Sequence, residues 1–172
     1  MQQAMSSTPL YATVTDDMPR ASEYLIIVQD QHTPDAQQLC QKNQQFEQAV
    51  ILSAHDDPSL AALFHAIAAN LTDAHIGIHA LVYGDEYFLW QVAQQLSVHG
   101  LLKDEIQLIK NESLNKRIYC VHCFHLFQST ADEFCDCPQC ATHLFIRSHF
   151  SERLGAYMAV CANAEEIQGE TA

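Results

Sequence analysis

The chain has 172 residues, 48% of them hydrophobic, and carries a formal net charge of −13. Five glycines and five prolines exclude a collagen-like or low-complexity chain, and the apolar content suffices for one medium domain, or for a domain plus a small module. The acidity argues against nucleic acid as a partner, because phosphate backbones are repelled.

Residues 1–112 hold 14 acids and 4 bases, residues 113–162 hold four of each, and the last ten residues add three acids. Residues 1–22 are polar and aperiodic, so they are expected to form an arm outside the core. Their start lacks a charged stretch leading into an apolar run, which predicts no signal peptide. No uncharged apolar stretch approaches the roughly 18 residues of a membrane span. A cytoplasmic protein without membrane partners is expected.

From residue 23 the pattern becomes regular. Tyr24 to Gln29 (YLIIVQ) predicts a buried strand. Thr33 caps a helix with Pro34 at its first position, and its apolar face is Ala36, Leu39 and Cys40. Phe46 to Ala54 is a second strand. Asp57 and Pro58 repeat the cap before a helix that aligns Leu60, Leu63, Phe64 and Ile67 at helical spacing. Ile76 to Tyr83 is a third strand, and Gly84 and Asp85 turn into a helix with Leu89, Val92 and Leu96 inward. Gly100 closes that helix as a left-handed cap, and Glu105 to Ile109 is a fourth strand. Strands alternating with helices predict a small α/β domain over residues 23–112, with a parallel Rossmann-like sheet. Residues 111–116 read as a linker. A second module is expected over 117–162, and an acidic tail over 163–172.

A nucleotide-binding α/β domain needs glycines where a strand meets a helix, so that backbone N–H groups reach a pyrophosphate. The first strand is instead followed by Gln29-Asp30-Gln31-His32-Thr33, and the third by a single Gly84 with Asp85 and Glu86 directly after it. Carboxylates at those places oppose an anionic ligand, so the domain is expected to serve as a docking surface.

Five of the seven cysteines fall between 120 and 140. Cys120-Val-His-Cys123 and Cys137-Pro-Gln-Cys140 are two CxxC knuckles separated by thirteen residues, a spacing suited to a zinc ribbon with tetrahedral coordination by four thiolates. Cys135, two residues before Cys137, is an alternative ligand or a bystander thiol. His122 and His125 flank the first knuckle and are expected outside the cage. A single iron or an iron–sulfur cluster is the alternative to zinc; the short inter-knuckle loop and the polar, His-rich surround favour zinc. Residues 117–147 bury too little apolar surface to fold without help, so the metal is expected to act as a structural staple.

After Cys140, Leu144 to Arg147 reads as the last strand of the ribbon, and Ser148 to Val160 as a cap followed by a short helix. Arg147, His149 and Arg153 gather positive charge within seven residues of a chain that has only eight Lys and Arg. They are expected to face a partner's carboxylates, or else to pair locally with Glu152 or the terminal acids.

The knuckle YCVHC, then CPQC, then LFIRSHFSERLGAYMAV resemble the C-terminal domain of the DmmA-like subunits of dimethylamine monooxygenase. The segment VYGDEYFLWQVAQQLSVHGL resembles the N-terminal domain of the same subunits, and more distantly the pyridine-nucleotide half of ferredoxin reductases with its phosphate glycines lost. The likeness runs from about residue 24 to 160. It departs from the family pattern at Ser148, where an acid is usual, and at Ala159, where a glycine is usual. The resemblance implies a non-catalytic component of a multi-subunit oxidative N-demethylase. Such complexes use NADPH and O2 with haem, flavin and an iron–sulfur centre, and these would sit on partner subunits. A rubredoxin-like one-electron carrier, and a zinc-ribbon adaptor for nucleic acid or protein, are the other readings the residues allow. No Ser-His-Asp set, phosphate loop or HExxH motif supports a free-standing hydrolase.

Overall fold

The computed structural model describes residues 8–13, 19–43, 49–54, 59–72 and 77–163. They fall into two compact units, one of Tyr11–Ser113 and one that groups Leu114 onward with the residues before Tyr11.

The first unit is a mixed α/β layer structure. Strands β1 (Glu23–Val28), β2 (Ala49–Ser53), β3 (Ile78–Gly84) and β4 (Ile106–Lys110) form one parallel sheet in the order β2-β1-β3-β4. Helices α1 (Pro34–Asn43), α2 (Ala61–Thr72) and α3 (Glu86–Val98) make the crossovers. Alternation along the strands splits the apolar residues between two faces. Ile26, Val28, Leu81, Tyr83 and Ile109 pack with Ala36 and Leu39 of α1. Leu25, Ile27, Ala80 and Val82 pack with Leu63 and Ile67 of α2 and with Phe88, Leu89, Val92 and Leu96 of α3. Both faces of β1 and β3 are therefore dry, which is why these strands read as continuous apolar runs.

The helix ends follow from specific bonds. The Thr33 hydroxyl accepts from the Ala36 amide at 3.4 Å ahead of Pro34. Helix α3 ends in a Schellman motif: the Leu101 amide donates to Leu96, the Gly100 amide donates to Ser97, and Gly100 sits at φ +99°. The cap expected at Asp57 and Pro58 lies outside the described residues, as does the start of the second strand expected from Phe46 and the Ile76 start of the third. Leu60, expected inside α2, instead precedes it with φ +57°, while its side chain still joins the core.

The N-terminal side holds a feature that its polar composition hides. Ala12 bridges Ile109 in parallel, with its amide donating to Leu108 at 2.8 Å, and Tyr11 packs against the core. The Tyr11 hydroxyl donates to Glu86 and accepts from the Trp90 indole at 3.0 Å.

The second unit is a five-stranded sheet with the order β6-β5-β9-β8-β7. Its strands are β5 (Lys116–Cys120), β6 (Leu126–Ser129), β7 (Phe134–Asp136), β8 (His143–Ser151) and β9 (Ala156–Cys161). Only β5 and β9 run parallel. One face is buried by Ile118, Cys120, Leu144, Ile146 and Ala159 against the cysteine knuckles. The cap and helix expected over Ser148 to Val160 are not formed. The segment is the β8–β9 hairpin, turned at Glu152–Gly155 with Gly155 at φ +58°. The Ser151 hydroxyl accepts from the Leu154 amide, and Phe150 and Tyr157 pair across the strands with ring centroids 5.0 Å apart. Cross-strand aromatic pairing and a glycine that stops the helical path decide the outcome over the helix-forming Leu, Ala and Met of that stretch.

Candidate metal centre

Two short turns build the centre, and they repeat the same backbone bonding. In the first, the Cys120 amide donates to the His125 carbonyl at 3.0 Å, and the Phe124 amide donates back to Cys120 at 2.8 Å. In the second, the Cys137 amide donates to Thr142 at 3.0 Å, and the Ala141 amide donates back to Cys137 at 2.9 Å. Each turn closes on a left-handed residue, Phe124 at φ +65° and Ala141 at φ +56°. Strand β5 delivers Cys120 to the buried side of the sheet, and the link between β7 and β8 delivers Cys137 opposite it.

The four thiols converge. The Sγ atoms of Cys120, Cys123, Cys137 and Cys140 all lie within 4.8 Å of one another. Cys120 and Cys140 are 3.9 Å apart, and Cys123 and Cys137 are 3.6 Å apart. A tetrahedral site with metal–sulfur bonds of about 2.3 Å has sulfur–sulfur edges of about 3.8 Å, so the cage fits a thiolate-bound ion. All seven cysteines are free thiols. A four-sulfur donor set is soft, which favours zinc, iron or copper(I) over hard cations.

The surroundings of the sulfurs differ. The Thr142 hydroxyl, 3.2 Å from Cys140 Sγ, and the Thr142 amide hold the Cys140 thiol down at about 5. Loss of water pushes Cys123 up to about 12 and raises Cys120. Cys140 is thus the sulfur readiest to meet an entering cation, which would displace protons from the raised thiols of Cys120 and Cys123.

Cys137, 2% exposed, is the second knuckle's first thiol in the converging group. Cys135 lies on β7, packed against the same core but outside the cage. His122 is exposed, with Nδ1 3.4 Å from the Thr142 hydroxyl, and His125 stacks on Phe127. Neither is among the four converging ligands. Thr142 is not singled out from the sequence; it has the same spacing from Cys140 that His125 has from Cys123, and the equal spacing of the knuckles is the signal that could have found it. Arg147 and His149 are exposed in a bulge of β8, and Arg153 is exposed in the hairpin turn.

At the α/β unit's strand ends, the N-terminus of α3 is closed by side chains. Asp85 is its N-cap: Oδ1 accepts from the Phe88 amide at 2.7 Å and Oδ2 accepts from the Gln29 carboxamide at 3.0 Å. Gln29 Oε1 in turn accepts from the Asp85 amide at 2.8 Å. A Cβ on Gly84 would come within 2.6 Å of Phe88 and 2.8 Å of Gln29, so this glycine serves close packing of β3 against its own neighbours. Among the described residues, no helix is long and apolar enough to cross a membrane.

Comparison with known proteins bears on both units. Residues 117–160 match the family model described as dimethylamine monooxygenase subunit DmmA-like, C-terminal domain. A protein of Ectopseudomonas mendocina (strain ymp), described as heme-dependent oxidative N-demethylase delta subunit, is 34% identical over 148 residues. That span is 86% of this chain and 84% of the relative. No solved structure matches.

Proposed function

The chain belongs to the family of the delta subunit of heme-dependent oxidative N-demethylase, and from that premise we propose that it is a non-catalytic subunit that docks the redox partners of such a complex. The reaction served is the oxidation of dimethylamine by NADPH and O2. It gives methylamine, formaldehyde, water and NADP+. Haem, flavin, iron–sulfur centre and NADPH belong to the partner subunits, in the cytoplasm.

The observation that carries this reading is the contrast between the two units. The only cluster of possible metal ligands found among the described residues is the four-cysteine cage, and it packs against its own sheet. We read the α/β unit's parallel β2-β1-β3-β4 sheet with its helical crossovers as Rossmann-like. Its phosphate-facing helix start, however, is filled by the Asp85 carboxylate and the Gln29 carboxamide. A nucleotide fold that has lost its cradle, joined to a folding staple, suits a scaffold rather than a catalyst. The metal is zinc, held by Cys120, Cys123, Cys137 and Cys140 as the core of a zinc ribbon. When bound, it supplies cross-linking between the two knuckles and no redox chemistry. Arg147, His149 and Arg153 face carboxylates of a partner or its cofactor, where the guanidinium fork donates two parallel hydrogen bonds.

The test is assembly. Arg147→Ala and His149→Ala should leave the melting temperature of the free chain unchanged, while complex formation weakens tenfold or more, about 1.4 kcal/mol. Variants that melt several degrees lower and then assemble normally would make these residues structural. A red, iron-containing chain would favour the one-electron carrier.

A further inference from the structure

The five-stranded sheet of the second unit has two faces, and only one is used by the core and the cage. Strand register identifies the other. Leu126 pairs with Tyr119, and Tyr119 with Met158, giving one row across β6, β5 and β9. Val160 pairs with Phe145, and Phe145 with Phe134, giving the adjacent row across β9, β8 and β7. Each of these six residues is one step out of phase with the buried positions Ile118, Cys120, Leu144, Ile146 and Ala159, so alternation sets them on the opposite side. None of the six joins the unit's core cluster. Their side chains are half-buried, except Phe134, which is 48% exposed with its ring centroid 5.5 Å from Phe145. Phe124, 71% exposed, leans on Tyr119 at the rim. Among the described residues this unit is built of strands alone, so it has no helix to cover that face.

The charged border of the face is just as specific. Between the pairs Ile146–Ala159 and Phe150–Tyr157, three residues of β8 oppose one of β9. The three are Arg147, Ser148 and His149, all exposed, and the one they oppose is Met158, at the β9 end of the first apolar row. The bulge therefore sets a cation and an imidazole at the edge of the apolar rows, in a chain whose net charge is −13. Bulges re-aim side chains, and this one brings Arg147 and His149 opposite Met158.

We propose that this outer face, the rows Leu126–Tyr119–Met158 and Val160–Phe145–Phe134 with the Arg147–His149 bulge at their border, is the docking surface for a different subunit of the demethylase, one that presents an apolar patch edged by carboxylates. The proposal rests on the subunit role argued above and names the surface that carries it. A contiguous aromatic and aliphatic centre with arginine at the margin is the composition of a protein–protein contact. The acidic remainder of the chain selects against a second acidic copy, and the cationic margin selects for carboxylates.

The experiment uses the full chain, co-expressed with the other demethylase subunits. Met158 is replaced by p-benzoylphenylalanine, with the same replacement at Val98, exposed at the end of α3, as the control. Irradiation should link position 158, and not position 98, to a different subunit. Phe145→Asp and Met158→Asp should weaken assembly at least tenfold while metal content and circular dichroism stay at wild-type values. If the aspartate variants lose metal, the crosslink alone decides, since it replaces a half-exposed side chain. Normal assembly of metal-replete aspartate variants, or crosslinking at 158 only to a second copy of this chain, overturns the proposal and leaves the subunit role standing. A wild-type chain that joins no demethylase subunit overturns both.

Discussion

The hydroxyl of Tyr11 is bonded to the carboxylate of Glu86, 75 residues further along the chain, and Glu86 is only 2% exposed. A carboxylate at the first position of α3 gains from the helix dipole, and Tyr11 supplies a donor where water is excluded. The same hydroxyl accepts the Trp90 indole N–H, so one residue of the N-terminal segment serves two groups on α3. Tyr11→Phe should cost the α/β unit about 1–3 kcal/mol, the range for leaving a buried polar group without its partner, read as a lower urea midpoint at an unchanged slope. An unchanged midpoint would mean that Tyr11 rests on the unit without stabilising it.

His79 gives the α/β unit a pH dependence. It is 6% exposed on β3, its Nε2 has no hydrogen-bond partner among the described residues, and burial lowers its pKa from the ordinary 6.5 despite the opposing influence of Gln107 and Glu105. The folded state prefers the neutral imidazole. As pH falls through 6.5 the unfolded chain takes up a proton that the folded chain resists, so this contribution to stability is present above 6.5 and is lost below it. Urea midpoints between about pH 8 and pH 5 should fall more steeply for wild type than for His79→Leu. Parallel curves would remove His79 as the cause.

The knuckles carry a backbone cost. A non-glycine residue in the left-handed region costs about 1–2 kcal/mol, and Phe124 and Ala141 both stand there. Ala141→Gly should stabilise the second unit by somewhat less than about 1 kcal/mol, because glycine also gains freedom in the unfolded chain. Calorimetry of the metal-loaded protein should show a small rise in its melting temperature. Phe124→Gly should gain less, since it also removes the contact with Tyr119. A fall for Ala141→Gly would show that the turn is not strained.

The isolated chain should show no saturable binding of NADPH, NADH or flavin nucleotides. Asp85 already takes the Phe88 amide at the start of α3, and its negative charge faces the place a phosphate would occupy. A calorimetric Kd in the low micromolar range would contradict this, and would restore a catalytic role to the unit.

Much of this was legible in the sequence, for physical reasons. The strands β1 and β3 are dry on both faces and so leave unbroken apolar runs, and Thr33-Pro34 and Gly100 punctuate their helices with residues only those positions favour. The cage was legible because two CxxC turns are a dense local signal. Three things were not. Tyr11 is a single aromatic in a polar stretch, and its partner lies 75 residues away. The β8–β9 hairpin was hidden because Leu, Ala and Met favour helix locally, while the pairing of Phe150 with Tyr157 and of Ile146 with Ala159 is decided across the strands. The outer face of the same sheet was hidden with it, because Met158 and Phe145 share a side only once that hairpin exists.

If the chain is a subunit of an oxidative N-demethylase and holds one structural zinc, a native mass spectrum will reveal both. The sample is the complex captured through a tag on this chain, after co-expression with the other subunits of the demethylase. The expected species is a hetero-oligomer of this chain with those subunits, with the mass of one zinc on this chain. Cys137→Ser should lose that zinc, and Cys135→Ser should keep it. A chain that is captured alone, or that carries iron in place of zinc, would refute this role.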